Sequence, residues 1–163
     1  MTRGLQKIRC ALGTIALEWE GRTLAAVHLA RPFPHLPSVP GDLCLAQQLV
    51  RYAAGGKPDP ARIEVPLLRG RLTGFQWRVL GALRRIAIGK TCSYAELAHA
   101  AGSPLAARAV GQVMRRNPWP ILVPCHRVLA AGGVGGFSAS GGVALKRKLL
   151  ALEGVVVPRE DGC

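Results

Sequence analysis

Acidic side chains are scarce in this chain. Nine Asp and Glu stand against 22 Lys and Arg in 163 residues, for a formal charge of +13. Also missing is any apolar run of the roughly 20 residues that a bilayer-spanning helix needs. The N-terminus carries no charged-then-apolar leader pattern, because Arg3, Lys7 and Arg9 punctuate it. A soluble, cytoplasmic protein is therefore expected. Cysteines are present but never closely paired: Cys10, Cys44, Cys92, Cys125 and Cys163 are widely spaced and odd in number. Without a Cys-x-x-Cys pair, a zinc ribbon or dithiol motif has no support, and reduced thiols are the default. No internal repeat is visible. The length suits one ordinary domain, or one domain with a small partner.

The basic residues are unevenly spread. Residues 69–150 hold thirteen Lys or Arg, at 69, 71, 78, 84, 85, 90, 108, 115, 116, 127, 146, 147 and 148, and one acid, Glu96. That half carries +12 and the remainder about +1. A field of one sign over half a protein attracts a polyanion, and nucleic acid is the common one. A basic surface serving only solubility is the bland alternative.

Two blocks are predicted, giving an α+β fold. Residues 1–66 read as a small sheet with one helix. Strand-like runs cover 9–12, 14–19 and 23–29, and the proline-rich RPFPHLPSVPG (31–41) is a loop. Leu45, Leu49 and Tyr52 mark a helix over 43–53, and Ile63–Pro66 reads as a short strand. Residues 67–163 read as mostly helical. Thr73 caps a first helix, and Ser93 with Glu96 makes a capping box for a second over 94–101. Gly102-Ser103-Pro104 breaks the chain before a third, from Pro104 or Leu105 to Arg115 or Arg116. A last helix spans 143–152. Helix, short Gly-containing turn, helix is the outline of a helix-turn-helix. Its second helix is basic, and Ala106, Ala107, Ala109 and Gly111 leave it little bulk, so it could approach a duplex closely.

Between two apolar stretches the chain places Cys125, His126 and Arg127. A thiolate is the reactive form of cysteine, and an imidazole can take its proton. Neighbours in an extended segment face opposite ways, so His126 needs a bend or a bridging water to serve Cys125. A buried inert thiol beside a structural histidine is the alternative.

The longer string RAVGQVMRRNPWPILVPCHRV (108–128) resembles the O6-alkylguanine-DNA alkyltransferase family. The likeness extends back through Phe75-Gln76, Thr91, Ser93-Tyr94 and Leu97-Ala98, and forward through GGFSASGG to Glu153-Gly154. It covers about residues 66–155; residues 1–65 match only in outline. The resemblance implies a winged-helix-like second block that binds duplex DNA from the minor groove with little sequence preference. It flips the damaged guanine and moves the O6 alkyl group irreversibly onto a cysteine, here Cys125. His126 is then the base, acting through a water, and Glu153 orients it. Tyr94 donates a proton to the departing guanine, and Asn117 ties the helix-turn-helix to the reactive turn. Arg108 fills the gap left by the flipped nucleotide, while Ala107, Ala109 and Gly111 face the duplex. Phe137 and Ser138 wall the pocket, with backbone groups of Val123 and Ser138 on the guanine edge. Thr91, Ser93, Arg115 and Arg127 complete the DNA-contacting set. Trp119 is large for its place and belongs near the DNA or between the blocks. No cofactor is implied, and a monomer is expected. Some relatives bind zinc near the N-terminus, but Cys10, His28 and Cys44 do not fall at a ligand spacing, so no metal is expected.

Three other readings compete. A non-enzymatic alkyltransferase-like lesion binder would lack the acceptor cysteine. A helix-turn-helix regulator with a redox thiol would show a sequence-specific footprint. A cysteine hydrolase would turn over repeatedly and ignore DNA.

Overall fold

Alternating side chains and two tight turns make residues 3–28 an antiparallel meander. Strands β1 (Arg3–Cys10), β2 (Gly13–Glu20) and β3 (Thr23–His28) lie in that order in a computed structural model, which describes residues 2–30, 32–70 and 72–157. Arg31, Arg71 and Cys163, which enter the sequence reading, lie outside the described residues. Cys10 pairs with Gly13, whose φ of 103° is a turn conformation that a side chain disfavours. The proline-rich loop runs back along the free edge of β1. The Leu5 N–H donates to Pro37 C=O at 2.8 Å, and the Val39 N–H to Leu5 C=O at 3.0 Å. That cover closes the β1 edge to another strand at Leu5.

Helix α1 (Leu43–Ala53) is capped by the Asp42 carboxylate and buries Leu45, Leu49 and Tyr52. The short strand expected at 63–66 does not form. Residues Pro60–Arg62 make a 3-10 turn, and the Arg84 guanidinium takes the carbonyls of Ala61 and Ile63 at 3.2 and 2.9 Å. With those carbonyls bound to a side chain, backbone pairing moves downstream. Leu24 donates to Pro66 C=O at 2.8 Å and accepts from the Leu68 N–H at 2.9 Å.

The second block holds α2 (Gly74–Arg84), β4 (Cys92–Ser93), α3 (Tyr94–Ala100), α4 (Ala107–Arg115), β5 (Val128–Leu129) and α5 (Gly142–Leu152). Both Thr73 with Gln76 and Ser93 with Glu96 close complete capping boxes. Helix α4 starts later than the spacing suggests, because Ser103 to Ala106 first close a turn through a 2.9 Å hydrogen bond. It buries Val110, Val113 and Met114 and turns Arg108, Ala109, Gln112 and Arg115 outward. The two-residue parallel ladder of β4 with β5 sets Cys92 opposite Val128 and Ser93 opposite Leu129. It fastens the start of α3 to the segment that follows Cys125.

The hydrophobic core runs across the join between the blocks. Leu17, Leu24 and Tyr52 belong to the same buried cluster as Leu83, Val110, Leu122 and Leu149. Trp119 is its largest fully buried side chain, with its indole N–H donating to Leu24 C=O at 2.9 Å. It packs edge-on against Trp77, with ring centroids 6.1 Å apart. Of the two settings expected for Trp119, the structure shows the interface between blocks and not the DNA face.

Candidate active site

Three prolines, at 118, 120 and 124, restrict the segment leading to Cys125. Between them Ile121 sits at φ 75°, a left-handed conformation rare for a β-branched residue. Such a position costs on the order of 1–3 kcal/mol and persists only where its surroundings impose it. Here they do: the Val123 N–H donates to Trp119 C=O at 2.7 Å, and the Asn117 side-chain amide donates to Val123 C=O at 2.8 Å. The Asn117 oxygen also accepts from the Trp119 N–H at 3.0 Å. The end of α4 and the reactive turn are thereby one hydrogen-bonded piece.

Cys125, His126 and Arg127 form a 3-10 turn. With three residues per turn, successive side chains diverge by about 120°. The two side chains therefore do not take the opposite faces that an extended segment would give them. The His126 Nε2 lies 2.7 Å from Glu153 Oε1, at the end of α5. Facing a carboxylate, Nε2 carries the proton and Nδ1 keeps the lone pair. That Nδ1 is buried and has no hydrogen-bond partner.

Glu153 is the hub of a wider buried cluster. Its Oε1 also accepts from Tyr52 O–H at 2.7 Å and Arg127 Nη2 at 2.9 Å, and its Oε2 from Arg127 Nε at 2.8 Å. Arg127 Nη2 reaches Asp59 Oδ1 at 2.8 Å, and Nη1 donates to Ile86 C=O. Burial pushes the Glu153 carboxyl upward, but the bonds from His126 and Arg127 outweigh it and hold it at about 2. Burial holds the His126 imidazole below its ordinary value despite Glu153. Burial also raises the Cys125 thiol, with Asn117 and Lys146 pulling the other way. At rest the pair is therefore neutral thiol and neutral base. Tyr94 is raised by burial and by the nearby Cys125, so it keeps its proton as a donor. Burial and then Glu96 push the Cys92 thiol up to about 11, which leaves it unreactive at neutral pH.

Cys125 opens onto a cavity of about 550 Å³. Its walls include Tyr94, Arg108, Gly111, Arg115, Phe137 and Ser138 from the sequence-derived set, and Gln112, Met114 and Gly136 besides. The volume lies in the ordinary range for small-molecule pockets. Thr91 and Ser93 stand outside it at the start of α3, where the Ser93 hydroxyl is the cap. Ala107 and Ala109 lie on α4 beside it, partly or fully exposed.

Two expectations need correction. Arg127 is fully buried and paired with Glu153 and Asp59, so it makes no DNA contact. Val123 is also fully buried and does not line the cavity. Its carbonyl is already taken by Asn117 and the Cys125 N–H, so it does not offer an acceptor to a guanine edge.

The sequence reading missed Lys146, Tyr52 and Asp59. Lys146 is buried, and its ammonium donates to the carbonyls of Val128 and Val134 at 2.6 Å and Gly136 at 3.2 Å. It ties the cavity wall to β5. A signal existed: Lys146 precedes Leu149, Leu150 and Glu153 by three, four and seven residues, within the inward stripe of α5. Tyr52 and Asp59 gave none, because their partners lie far along the chain. Among the described residues, no three His, Cys, Asp or Glu side chains converge where a metal ion could sit. No helix there is long and apolar enough to cross a membrane.

Residues 74–155 match the family described as 6-O-methylguanine DNA methyltransferase, DNA binding domain. A methylated-DNA–protein-cysteine methyltransferase of Archaeoglobus fulgidus is 40% identical over 114 residues, covering 68% of this chain and 74% of that one. The mouse protein of the same name is 51% identical over 79 residues, 48% of this chain but 36% of its own length. The match therefore spans little more than a third of the mouse protein. Among solved structures, an O6-methylguanine methyltransferase of Mycobacterium tuberculosis superposes with a TM-score of 0.79 at 36% identity, covering 98% of this chain and 97% of the other. The M. tuberculosis OGT in complex with DNA gives 0.79 at 37% identity over 93% of each chain.

Proposed function

Because this chain belongs to the 6-O-methylguanine DNA methyltransferase family, we propose that it repairs duplex DNA by moving the alkyl group of O6-alkylguanine onto Cys125, once per molecule. The observation that carries this is the shared cavity. Cys125 and the protonated Tyr94 line it together. Next to Cys125 in the chain, His126 keeps an unpaired lone pair on Nδ1 while Glu153 grips its other nitrogen.

The steps balance without a cofactor. The thiol proton passes to His126 Nδ1, through a water. The sulfur then attacks the alkyl carbon, an S–C bond forms, and the C–O6 bond breaks toward the base. Tyr94 O–H protonates the purine as it leaves, so neutral guanine departs. The imidazolium proton restores the tyrosine. No step reverses the thioether, so the protein is consumed. The full set of thiol, base and donor is what a mere lesion binder would not need.

Duplex DNA carrying labelled O6-methylguanine tests this directly. One equivalent of label is expected on the Cys125 peptide, with Cys125→Ser inert yet still binding DNA. Label on Cys10, Cys44, Cys92 or Cys163, or many turnovers per molecule, contradicts the reading.

Arg108 and Tyr94 should divide flipping from chemistry. Arg108 is exposed on α4 at the cavity rim. A planar cation there can stack where the flipped base was, offsetting an unstacking cost of a few kcal/mol. Arg108→Ala should slow repair of duplex DNA about tenfold or more, and barely change reaction with free O6-benzylguanine. Tyr94→Phe should slow both substrates. Equal losses on both for Arg108→Ala would make that residue a support of the pocket instead.

A further inference from the structure

The first block reaches into the reactive cluster through two side chains, Tyr52 at the end of α1 and Asp59 before the 3-10 turn. Each touches a different member. Tyr52 O–H occupies the same Glu153 oxygen that holds His126. Asp59 accepts from Arg127 Nη2, the same nitrogen that donates to Glu153 Oε1, while Arg127 Nε donates to Glu153 Oε2. Asp59 is itself fixed, since its Oδ1 caps Ala61 N–H at 3.1 Å and its Oδ2 accepts from Ile88 N–H at 3.1 Å.

We propose that Tyr52 and Asp59 are positioning residues that set, from opposite directions, how much of the Glu153 charge His126 receives. Glu153 has one negative charge to share among three donors. Tyr52 draws part of it away from His126. Asp59 does the reverse, because it compensates the Arg127 cation that would otherwise lean wholly on Glu153. The other charged or titratable groups near His126 are Arg127, Lys146 and the Cys125 thiol. The proposal rests on the reading of His126 as the base, and it assigns the first block a part in tuning that base.

The two substitutions then move the imidazole in opposite senses. In Tyr52→Phe the ring still packs, but Glu153 loses a donor and stabilises the imidazolium more. The His126 pKa should rise by roughly 0.5–1 unit. In Asp59→Asn the amide oxygen still caps Ala61 N–H and accepts from Arg127, while the bond from Ile88 N–H to the second oxygen is lost. The Arg127 charge is left less compensated, and the His126 pKa should fall by roughly the same amount. A purely structural role predicts something else. Loosening the cluster would admit water and raise His126 toward its ordinary value in both variants.

Titration of ¹⁵N-labelled imidazoles by NMR reads this without any alkyl transfer. A chain that takes no alkyl group but shows opposed shifts would fail the functional reading and keep this one. In the active protein, the acid limb of the single-turnover rate should move the same way. Shifts of the same sign, or none, overturn the proposal. Should Asp59→Asn fail to fold, Tyr52→Phe decides alone. An upward shift with unchanged hydrogen-exchange protection over residues 125–128 supports it; lost protection, or no shift, overturns it.

Discussion

Glu153→Ala should lower folding stability by about 3–5 kcal/mol, the usual result of removing one partner from a buried ion pair, and slow alkyl transfer by about a hundredfold or more. The carboxylate accepts from His126, Tyr52 and Arg127 together, in a place without solvent to replace it. Its loss leaves Arg127 half-paired and lets the imidazole turn or change tautomer. Chemical denaturation and single-turnover kinetics read the two effects separately. The pH dependence carries its own sign. The folded carboxyl is depressed to about 2, so its stabilisation is complete above the usual glutamate range and is lost as the pH falls through about 2. Glu153→Gln should therefore flatten the acid side of the stability curve. Wild-type slope in that variant would show that other carboxylates govern acid unfolding.

Lys146→Met is the second large effect. The ammonium is the shared donor for three carbonyls in the cavity wall and β5. Burial lowers its pKa to about 8, so it is still mostly charged at neutral pH. Methionine fills the space and leaves the carbonyls without that donor, a loss of about 2–4 kcal/mol at the usual cost of unpaired buried groups. The charge that favours the Cys125 thiolate goes with it. Transfer should fall roughly tenfold or more, since one pKa unit in the thiol is a tenfold change in thiolate. Unlike Arg108→Ala, it should affect duplex DNA and free O6-benzylguanine alike. A loss confined to DNA would place Lys146 in binding rather than in the pocket. Arginine is not expected to rescue it, because a planar fork cannot converge on three carbonyls as an ammonium does.

Local signals in the sequence were legible where the cause is local. Thr73, and Ser93 with Glu96, cap helices within four residues of chain, and the helices are there. Cys125, His126, Asn117 and Glu153 were legible through family resemblance, since no spacing rule joins Glu153 to a histidine 27 residues away. Charge misled at Arg127. A cation in a basic half reads as surface, and only the fold shows two carboxylates waiting for it inside. Lys146 is buried too, so both are missing from the exposed field that the count of thirteen suggests. The strand expected at 63–66 failed because Arg84, twenty-one residues from Ile63, claims its carbonyl. Short-range pattern cannot register a competitor at that distance.

The hydrogen bond from Tyr52 to Glu153 joins residues 101 positions apart. Closing so long a segment is entropically slow, and it becomes favourable only when the intervening core has formed. Helix caps and the first hairpin need only local closure, whereas the cluster around Glu153 is complete only once the long-range contacts across the join have formed. Until then Cys125 is an ordinary thiol that holds its proton to about pH 8.5. Folding then shields a sulfur that can be used only once, because burial holds the resting thiol above that ordinary value and leaves the assembled His126 and Glu153 to activate it. Its readiness reports that assembly has finished.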